Sequence, residues 1–274
     1  MRQRNAGKDG QTVKNRKNRK ERAGGMEKKN GRLQLPNVTL IAMTSVNVKA
    51  TVKAMQYSMR GIDFGEAVLV THRKPFLLPK AIHYKHTSKL THIDDFNYKT
   101  VYELGEYVNT EFALLVHADG FVVNPESFRD EFLDYDYIGS PWPMPANDLM
   151  YRDIHGNLCR VGNSVSIRSK RLMEFPKKSN MPWTPEDGCF NEDGFICCRM
   201  RHLFEAEGMT YAPLEVAVYF GHEHMIPELE GRNIRPFVFH KWWGTNAEYP
   251  NFIKPTLIER IKKPLRKIKH WLIG

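Results

Sequence analysis

Asp119 is the leading candidate for a functional residue in this 274-residue chain, because of the residues on either side of it. It closely follows an apolar run at 112–116 and precedes Gly120, which leaves room for a ligand to approach. A carboxylate held at the tip of a strand can bind a divalent cation, and the cation can neutralise charge on diphosphate oxygens. The alternative is an aspartate that caps the next turn, and Asp119 alone does not decide between the two.

A second acidic candidate is the pair Glu192 and Asp193, which opens a helical pattern that runs to residue 207. Either carboxylate can act as a general base that takes a proton from a hydroxyl group. Acidic residues also stabilise the first turn of a helix through its dipole. Taken alone, the sequence favours this capping role.

The histidines near the C-terminal end of the domain raise the possibility of a metal site. His222 and His224 lie two residues apart, not four, as two zinc ligands on one helical face would be, so a zinc hydrolase is not expected. His240 ends another apolar run, where a neutral imidazole can complete a metal site. A buried structural histidine is the alternative that the sequence alone favours.

These residues need a scaffold, and the apolar pattern predicts one. Apolar runs at 38–43, 67–71 and 112–116 indicate buried strands, and helical spacing at 48–59 and 98–108 separates them. Strands that alternate with helices predict an α/β fold with a mixed, mostly parallel sheet flanked by helices. Ligands bind such sheets at the carboxyl ends of the strands.

Polar residues follow each of these predicted strands. Thr44 and Ser45 follow the first strand, His72 the second, and His117 and Asp119 the third. We therefore expect one site at this edge of the sheet.

A proline-rich loop follows a further predicted strand at 135–139. Pro141, Pro143 and Pro145 fix an extended path there, which can present Trp142 rigidly.

The charge of the chain is concentrated in its ends. The formal net charge is +10, but residues 1–35 carry +9 and residues 251–274 carry +6, which leaves a net charge of −5 on the body between them. An acidic body makes a nucleic-acid-binding domain unlikely, because phosphate contacts need a basic folded face. We expect a disordered basic tail at 1–35, either functional or a start-site artefact given Met26, and a single domain at 36–250.

The C-terminal segment 251–274 has apolar residues at helical intervals with lysines and arginines between them. This pattern predicts a basic amphipathic helix, which either binds an anionic membrane surface or packs on the domain. The chain has four cysteines without a CxxC pair, and its sequence shows neither a signal peptide nor a membrane-spanning run. These features predict a protein of the cytoplasm, either free or bound to the cytoplasmic face of the membrane.

Several motifs in order resemble a domain-of-unknown-function family of GT-A-type glycosyltransferases associated with surface-polysaccharide biosynthesis. In chain order, these motifs are His117 to Pro125, Phe132 to Trp142, Val161-Gly162-Asn163, Ser166 to Ser169, Glu192-Asp193, Ala212 to Ala217 and Phe220 to Glu223. The resemblance spans about residues 38–245. It implies a Rossmann-like GT-A domain that transfers a sugar from a nucleotide-diphosphate donor to a hydroxyl of a glycan or lipid-linked acceptor.

The resemblance also assigns roles. It places the metal-binding motif on residues 117–119, where His117 stands in place of a carboxylate, so Asp119 and His240 would bind Mn²⁺ or Mg²⁺. Thr44, Ser45, His72, His117 and Asp119 would bind the donor. Trp142, Gly162 and Asn163 would contact the acceptor, and Ser164 and Val165 replace a glycine-rich motif. Asp193, or Glu192, becomes the general base of a hexosyltransferase that inverts the anomeric carbon.

Two rival functions remain at this point. One is a nucleotide-sugar-binding protein without turnover, suggested by the missing first acid and the altered glycine motif. The other, less favoured, is a basic-tailed nucleic-acid-binding protein.

Overall fold

The computed structural model describes residues 28–146, 151–184 and 191–253, which form a seven-stranded sheet and a separate three-stranded sheet. The strands are β1 (Lys28–Lys29), β2 (Arg32–Met43), β3 (Ile62–Thr71), β4 (His83–His86), β5 (Phe112–Leu115), β6 (Gly120–Val122), β7 (Tyr137–Pro141), β8 (Gly162–Ser169), β9 (Gly221–His222) and β10 (Val238–His240). The helices are α1 (Val48–Ser58), α2 (Ile93–Tyr102), α3 (Lys170–Lys178), α4 (Glu192–Gly194), α5 (Arg201–Ala206) and α6 (Leu214–Phe220). Short 3₁₀ turns occupy Leu104–Tyr107, Pro125–Ser127, Asp130–Asp134, Pro227–Leu229 and Gly244–Glu248.

The large sheet has the order β4-β3-β2-β5-β8-β7, with β1 paired to the start of β2. Strands β4, β3, β2 and β5 are parallel, whereas β8 runs antiparallel to both of its neighbours. Helices cover both faces, so the predicted mixed, mostly parallel α/β sheet is confirmed.

The central strand β2 is buried on both faces, as expected for a strand in a covered parallel sheet. Leu40 and Ala42 pack in the core that contains α1, while Ile41 and Met43 pack in the core on the opposite face. All four side chains have at most 1% of their surface exposed. Burying a side chain of leucine size stabilises a fold by about 1.5–3 kcal/mol, so β2 anchors the sheet edge that follows it.

The reversal of β8 brings a fourth segment to the carboxyl edge of the parallel strands. Ser166 in β8 pairs with Leu115 at the end of β5, so the start of β8 lies beside the residues that follow β5. Strand β7 runs antiparallel to β8, and its end at Pro141 therefore pairs with Gly162. Residues 142 and 163–164 reach the same edge as residues 44–45 and 117–119.

The three-stranded sheet, of order β6-β10-β9, closes this edge. Strand β10 pairs antiparallel with β6, and this register sets His240 opposite Gly120. His240 and Gly120, which are far apart in the sequence, thus lie opposite each other next to Asp119.

The helical segment predicted at 192–207 is present but irregular. A π-helical turn at Phe195–Arg199 separates α4 from α5. Such turns accommodate one extra residue in a helix and often lie at functional sites.

The folded region starts earlier than the predicted boundary at residue 36. Strand β1 and the start of β2 lie inside the predicted tail 1–35, because Leu33 and Leu35 alternate into the core, with 4% and 5% of their surface exposed. Residues 1–27 and 254–274, which include most of the predicted C-terminal helix, lie outside the described residues. Within the described ranges, no helix combines the length and the apolar character that crossing a bilayer requires.

Candidate active site

A cavity of about 590 Å³ lies at the carboxyl edge of the parallel strands. Residues predicted from the sequence to belong to one site line it together: Thr44, Ser45, His117, Asp119, Trp142, Asn163, Glu192, Asp193 and His240. Its volume is typical of small-molecule binding pockets. His72 and Gly162, also predicted, do not line it.

Asp119 and His240 are the predicted cation ligands, and the structure places them side by side. The distance from Asp119 Oδ1 to His240 Nε2 is 3.8 Å. Two donors up to about 4.2 Å apart can share one ion at bond lengths of about 2.1 Å, so the pair fits a divalent cation. Among the described residues, no group of three or more histidine, cysteine and acidic side chains could hold a metal. A cation here would therefore need oxygens from a bound ligand or from water.

Gly120 lets His240 come this close. A β-carbon on Gly120 would lie 2.7 Å from His240 Cδ2 and 2.5 Å from Val165 Cγ2, well inside contact distance. The space predicted to receive a ligand beside Gly120 is thus filled by protein. The glycine serves the site by admitting the histidine.

His117 is a neutral, hydrogen-bonded side chain. Burial, followed by the proximity of His240, lowers its pKa to about 4. Its Nε2 lies 2.8 Å from Ser164 Oγ in a hydrogen bond. Two of the three residues that depart from the pattern of the resembled family therefore contact each other.

Glu223 organises the wall of the cavity, although no role for it could be predicted from the sequence. Its side chain is fully buried, and Oε2 accepts hydrogen bonds from Trp142 Nε1 at 2.7 Å and from Asn163 Nδ2 at 2.6 Å. The Nδ1 atom of His240 lies 3.1 Å from Oε2, and the Nζ atom of Lys241 lies 2.9 Å from Oε1. One carboxylate thus ties together four cavity residues from three segments.

The charge state of Glu223 follows from these contacts. Burial alone would raise its pKa, but the contacts with His240 and Lys241 outweigh burial and lower the pKa below its ordinary value. The carboxylate is therefore ionised at neutral pH. The only sequence signal for this residue was its place in the motif at 220–223.

Glu192 and Asp193 are both buried at the cavity wall, with 4% and 7% of their surface exposed. Arg168, itself buried in β8, forms an ion pair with Glu192 at 3.3 Å. Burial, and next the charge of Glu192, raise the pKa of Asp193 well above its ordinary value. A carboxylate with a raised pKa is the stronger proton acceptor once ionised, so Asp193 is better suited than Glu192 to act as a base.

The predicted donor-binding hydroxyls already have partners within the protein. Ser45 Oγ accepts the backbone N–H of Leu90 at 2.9 Å and lies 3.0 Å from His72 Nδ1. Thr44 Oγ1 donates to the carbonyl of Val46. His72 thus stands behind Ser45 and supports the cavity from outside.

The predicted acceptor residues differ in their access to the cavity. The indole of Trp142 lines it, with its N–H directed to Glu223. Both ends of the Asn163 amide are engaged, by Glu223 and by the backbone N–H of Val165. Gly162 instead packs against Gly139 of β7, where a β-carbon would lie 3.0 Å from the neighbouring Cα.

Comparison with known proteins places residues 88–240 in the family described as "Protein of unknown function (DUF5672)". The chain belongs to this family. The match includes residues 117–119, Glu192, Asp193 and Glu223, so most of the cavity lies inside it. No curated protein matches the chain in sequence.

Among solved structures, the fold is similar to that of the mannosyltransferase PcManGT from Pyrobaculum calidifontis, determined in complex with GDP-Man and Mn²⁺. The TM-score is 0.41 at 10% sequence identity, and the alignment covers 77% of this chain. The chain spans 64% of the length of that protein.

Proposed function

We propose that this protein is a glycosyltransferase that moves a sugar from a nucleotide-diphosphate donor to a hydroxyl group of a glycan or lipid-linked acceptor. The observation that carries the proposal is the cavity itself. It combines a pair of side chains that fits a divalent cation, Asp119 and His240, with a buried carboxyl group of raised pKa, Asp193. Diphosphate recognition and deprotonation of a hydroxyl group are the two tasks that such a transfer needs.

The donor end of the proposed site is the strand edge. Asp119 and His240 would hold Mn²⁺ or Mg²⁺, which supplies positive charge against the diphosphate leaving group when it is bound. His117, neutral and fixed by Ser164, lines the same side and can donate or accept one hydrogen bond. The ammonium of Lys241, 42% exposed, lines the same end and offsets the negative charge of Glu223.

The acceptor end lies toward α4. Asp193 would take the proton from the attacking hydroxyl group, which corresponds to a single displacement with inversion at the anomeric carbon. Glu192 is held by Arg168 and would keep Asp193 in place while raising its basicity. Trp142 offers an indole face at the cavity wall, against which a sugar ring can pack.

The proposal is tested by release of free nucleotide from UDP-, GDP-, CMP- and dTDP-sugars, with Mn²⁺ or Mg²⁺ and with EDTA. We expect metal-dependent release from one donor, lost in Asp119→Ala and kept in the control Asp63→Asn. Asp63 is a half-exposed aspartate at the start of β3, at the opposite end of the strand from the cavity. Calorimetry with the same donors distinguishes the rival: tight binding without release on addition of acceptor glycans indicates a binding protein. Absence of any donor binding would reject both.

A further inference from the structure

A second cavity, of about 920 Å³, lies beside the first and has no role in the function proposed so far. The segment 222–236 and the turn 243–249 form its walls. Pro141 and Glu223 line the second cavity. Trp142, which follows Pro141, and Lys241, which contacts Glu223, line the first cavity.

Only a thin layer of side chains separates the two cavities. Glu223, which lines the second cavity, contacts both Trp142 and Lys241 of the first cavity. His224, which lines the second cavity, packs edge-on against Trp142 with ring centroids 5.1 Å apart. A molecule in the second cavity therefore lies one side chain away from the proposed donor site.

The second cavity displays an aromatic side chain at its mouth. Trp242 packs inward against Phe239 and donates its indole N–H to the carbonyl of Pro250. Trp243 turns outward, with 59% of its surface exposed. Lys241 and Gly244 flank the two tryptophans with positive φ angles of 61° and 50°. A residue with a side chain rarely adopts such an angle, so Lys241 marks an unusual bend of the backbone just before the two indoles.

The turn that carries Trp243 is held firmly. The buried side chain of Asn246 donates to the carbonyls of His222 and Lys241 at 3.1 Å, and its Oδ1 lies 2.9 Å from His222 Nδ1. An ordered turn with an exposed indole is preorganised for binding, because less conformational freedom is lost when a ligand arrives.

The charged side chains that line this cavity include more acids than bases. Three carboxylates line it, those of Glu223, Glu230 and Glu248, against the two guanidinium groups of Arg232 and Arg235. This excess of acids disfavours a strongly anionic ligand such as a nucleotide. A flat apolar indole beside histidine, asparagine and threonine side chains suits a neutral molecule with apolar C–H faces and many hydroxyl groups.

We propose that the second cavity is a carbohydrate-binding site, in which Trp243 and His224 stack on the sugar rings of the acceptor. Its role as an acceptor site rests on the proposed transferase function, while carbohydrate binding stands independently of it. Trp142 lies between the two cavities, so the ring that it contacts beside Asp193 and the rings in the second cavity would belong to one acceptor.

Binding is measured on the full chain by saturation-transfer difference NMR. The probes are methyl glycosides of glucose, galactose, mannose and N-acetylglucosamine, with lactose and cellobiose. We expect at least one probe to bind, with an affinity that falls about tenfold or more in Trp243→Ala and is largely kept in Trp243→Phe. The control Phe76→Ala removes an aromatic ring that is 98% exposed and lines neither cavity, and it should leave binding unchanged.

Asp119→Ala separates this inference from the function on which it rests. Sugar binding that survives in Asp119→Ala while nucleotide release is lost supports both. Sugar binding without nucleotide release in the wild type keeps the carbohydrate site and rejects the transferase. Binding that is lost in Asp119→Ala but kept in Trp243→Ala places the sugar in the first cavity and overturns the inference, as does the absence of binding by every probe.

Discussion

Replacing Glu223 by glutamine tests whether one buried carboxylate holds the cavity wall together. The substitution keeps the shape of the side chain and removes its charge. The new carbonyl oxygen can still accept hydrogen bonds from Trp142 and Asn163. The new amide nitrogen, in place of Oε1, then faces the ammonium of Lys241 across 2.9 Å, with a donor on each side.

The expected loss of stability follows from these contacts. A hydrogen bond to a charged group contributes about 1.5–3 kcal/mol, and two such bonds become neutral while one ion pair is lost. Removing one partner of a fully buried pair costs about 3–5 kcal/mol, but Lys241 is 42% exposed and can turn to water. We therefore expect Glu223→Gln to lower the free energy of unfolding by about 2–4 kcal/mol near neutral pH.

The assay is urea unfolding of both proteins over a range of pH. The pKa of Glu223 is lowered in the folded state, so its stabilisation is present above the ordinary value of 4.5 and is lost as the pH falls through the folded value. The difference between wild type and variant should therefore shrink in acid. The matched control Glu207→Gln, at an exposed position after α5, should change little. A variant as stable as the wild type near neutral pH, or a difference independent of pH, would refute the reasoning.

Three further predictions concern the same cavity. Asp193→Asn should lower kcat of sugar transfer by about 10²–10⁴-fold with donor affinity unchanged, because it removes the proposed base. Gly120→Ala should lower the free energy of unfolding by about 1–3 kcal/mol, because its methyl group would overlap Val165 and His240. For His117, whose pKa falls from 6.5 to about 4 on folding, stability in EDTA should decrease as the pH drops through that window, because the unfolded chain binds the proton first.

Each of these predictions has its own check. For Asp193→Asn, calorimetry with the donor must show unchanged affinity, and unchanged turnover would exclude Asp193 as the base. For Gly120→Ala, thermal and urea unfolding are compared with those of the control Gly156→Ala. Gly156 has open space around it, so any loss of stability in the control comes from its positive φ of 82° and not from overlap. For His117, the loss in acid should be smaller in His117→Asn, and an equal loss would assign it to other groups.

The sequence was sufficient to predict the parallel half of the sheet and its polar edge. Runs such as 112–116 are apolar without alternation, which is the pattern of strands covered on both faces. The same pattern carries no information on strand direction. The antiparallel course of β8, which brings Asn163 and Ser164 to the cavity, could therefore not be deduced from it.

The role of Glu223 could not be predicted from the sequence for a different reason. Its hydrogen-bond partners Trp142 and Asn163 lie 81 and 60 residues away in the sequence. Whether a glutamate is buried and paired depends on the tertiary fold that collects such partners, and no local pattern records it. His240 differs, because the sequence did name it as a candidate ligand, but its place beside Asp119 depends on the pairing of β10 with β6.

The π-helical turn at Phe195–Arg199 has a consequence for how this protein can evolve. Deleting one residue from the turn would let a regular α-helix run from Glu192 to Ala206, a change that favours backbone geometry. Each residue of an α-helix turns about 100° around the axis, so with α5 anchored by the buried Phe204 the deletion would swing Asp193 away from the cavity. The extra residue in this turn therefore keeps the two acids at the cavity wall. A single-residue deletion here would also break the buried ion pair between Arg168 and Glu192, so it should lower stability as well as activity.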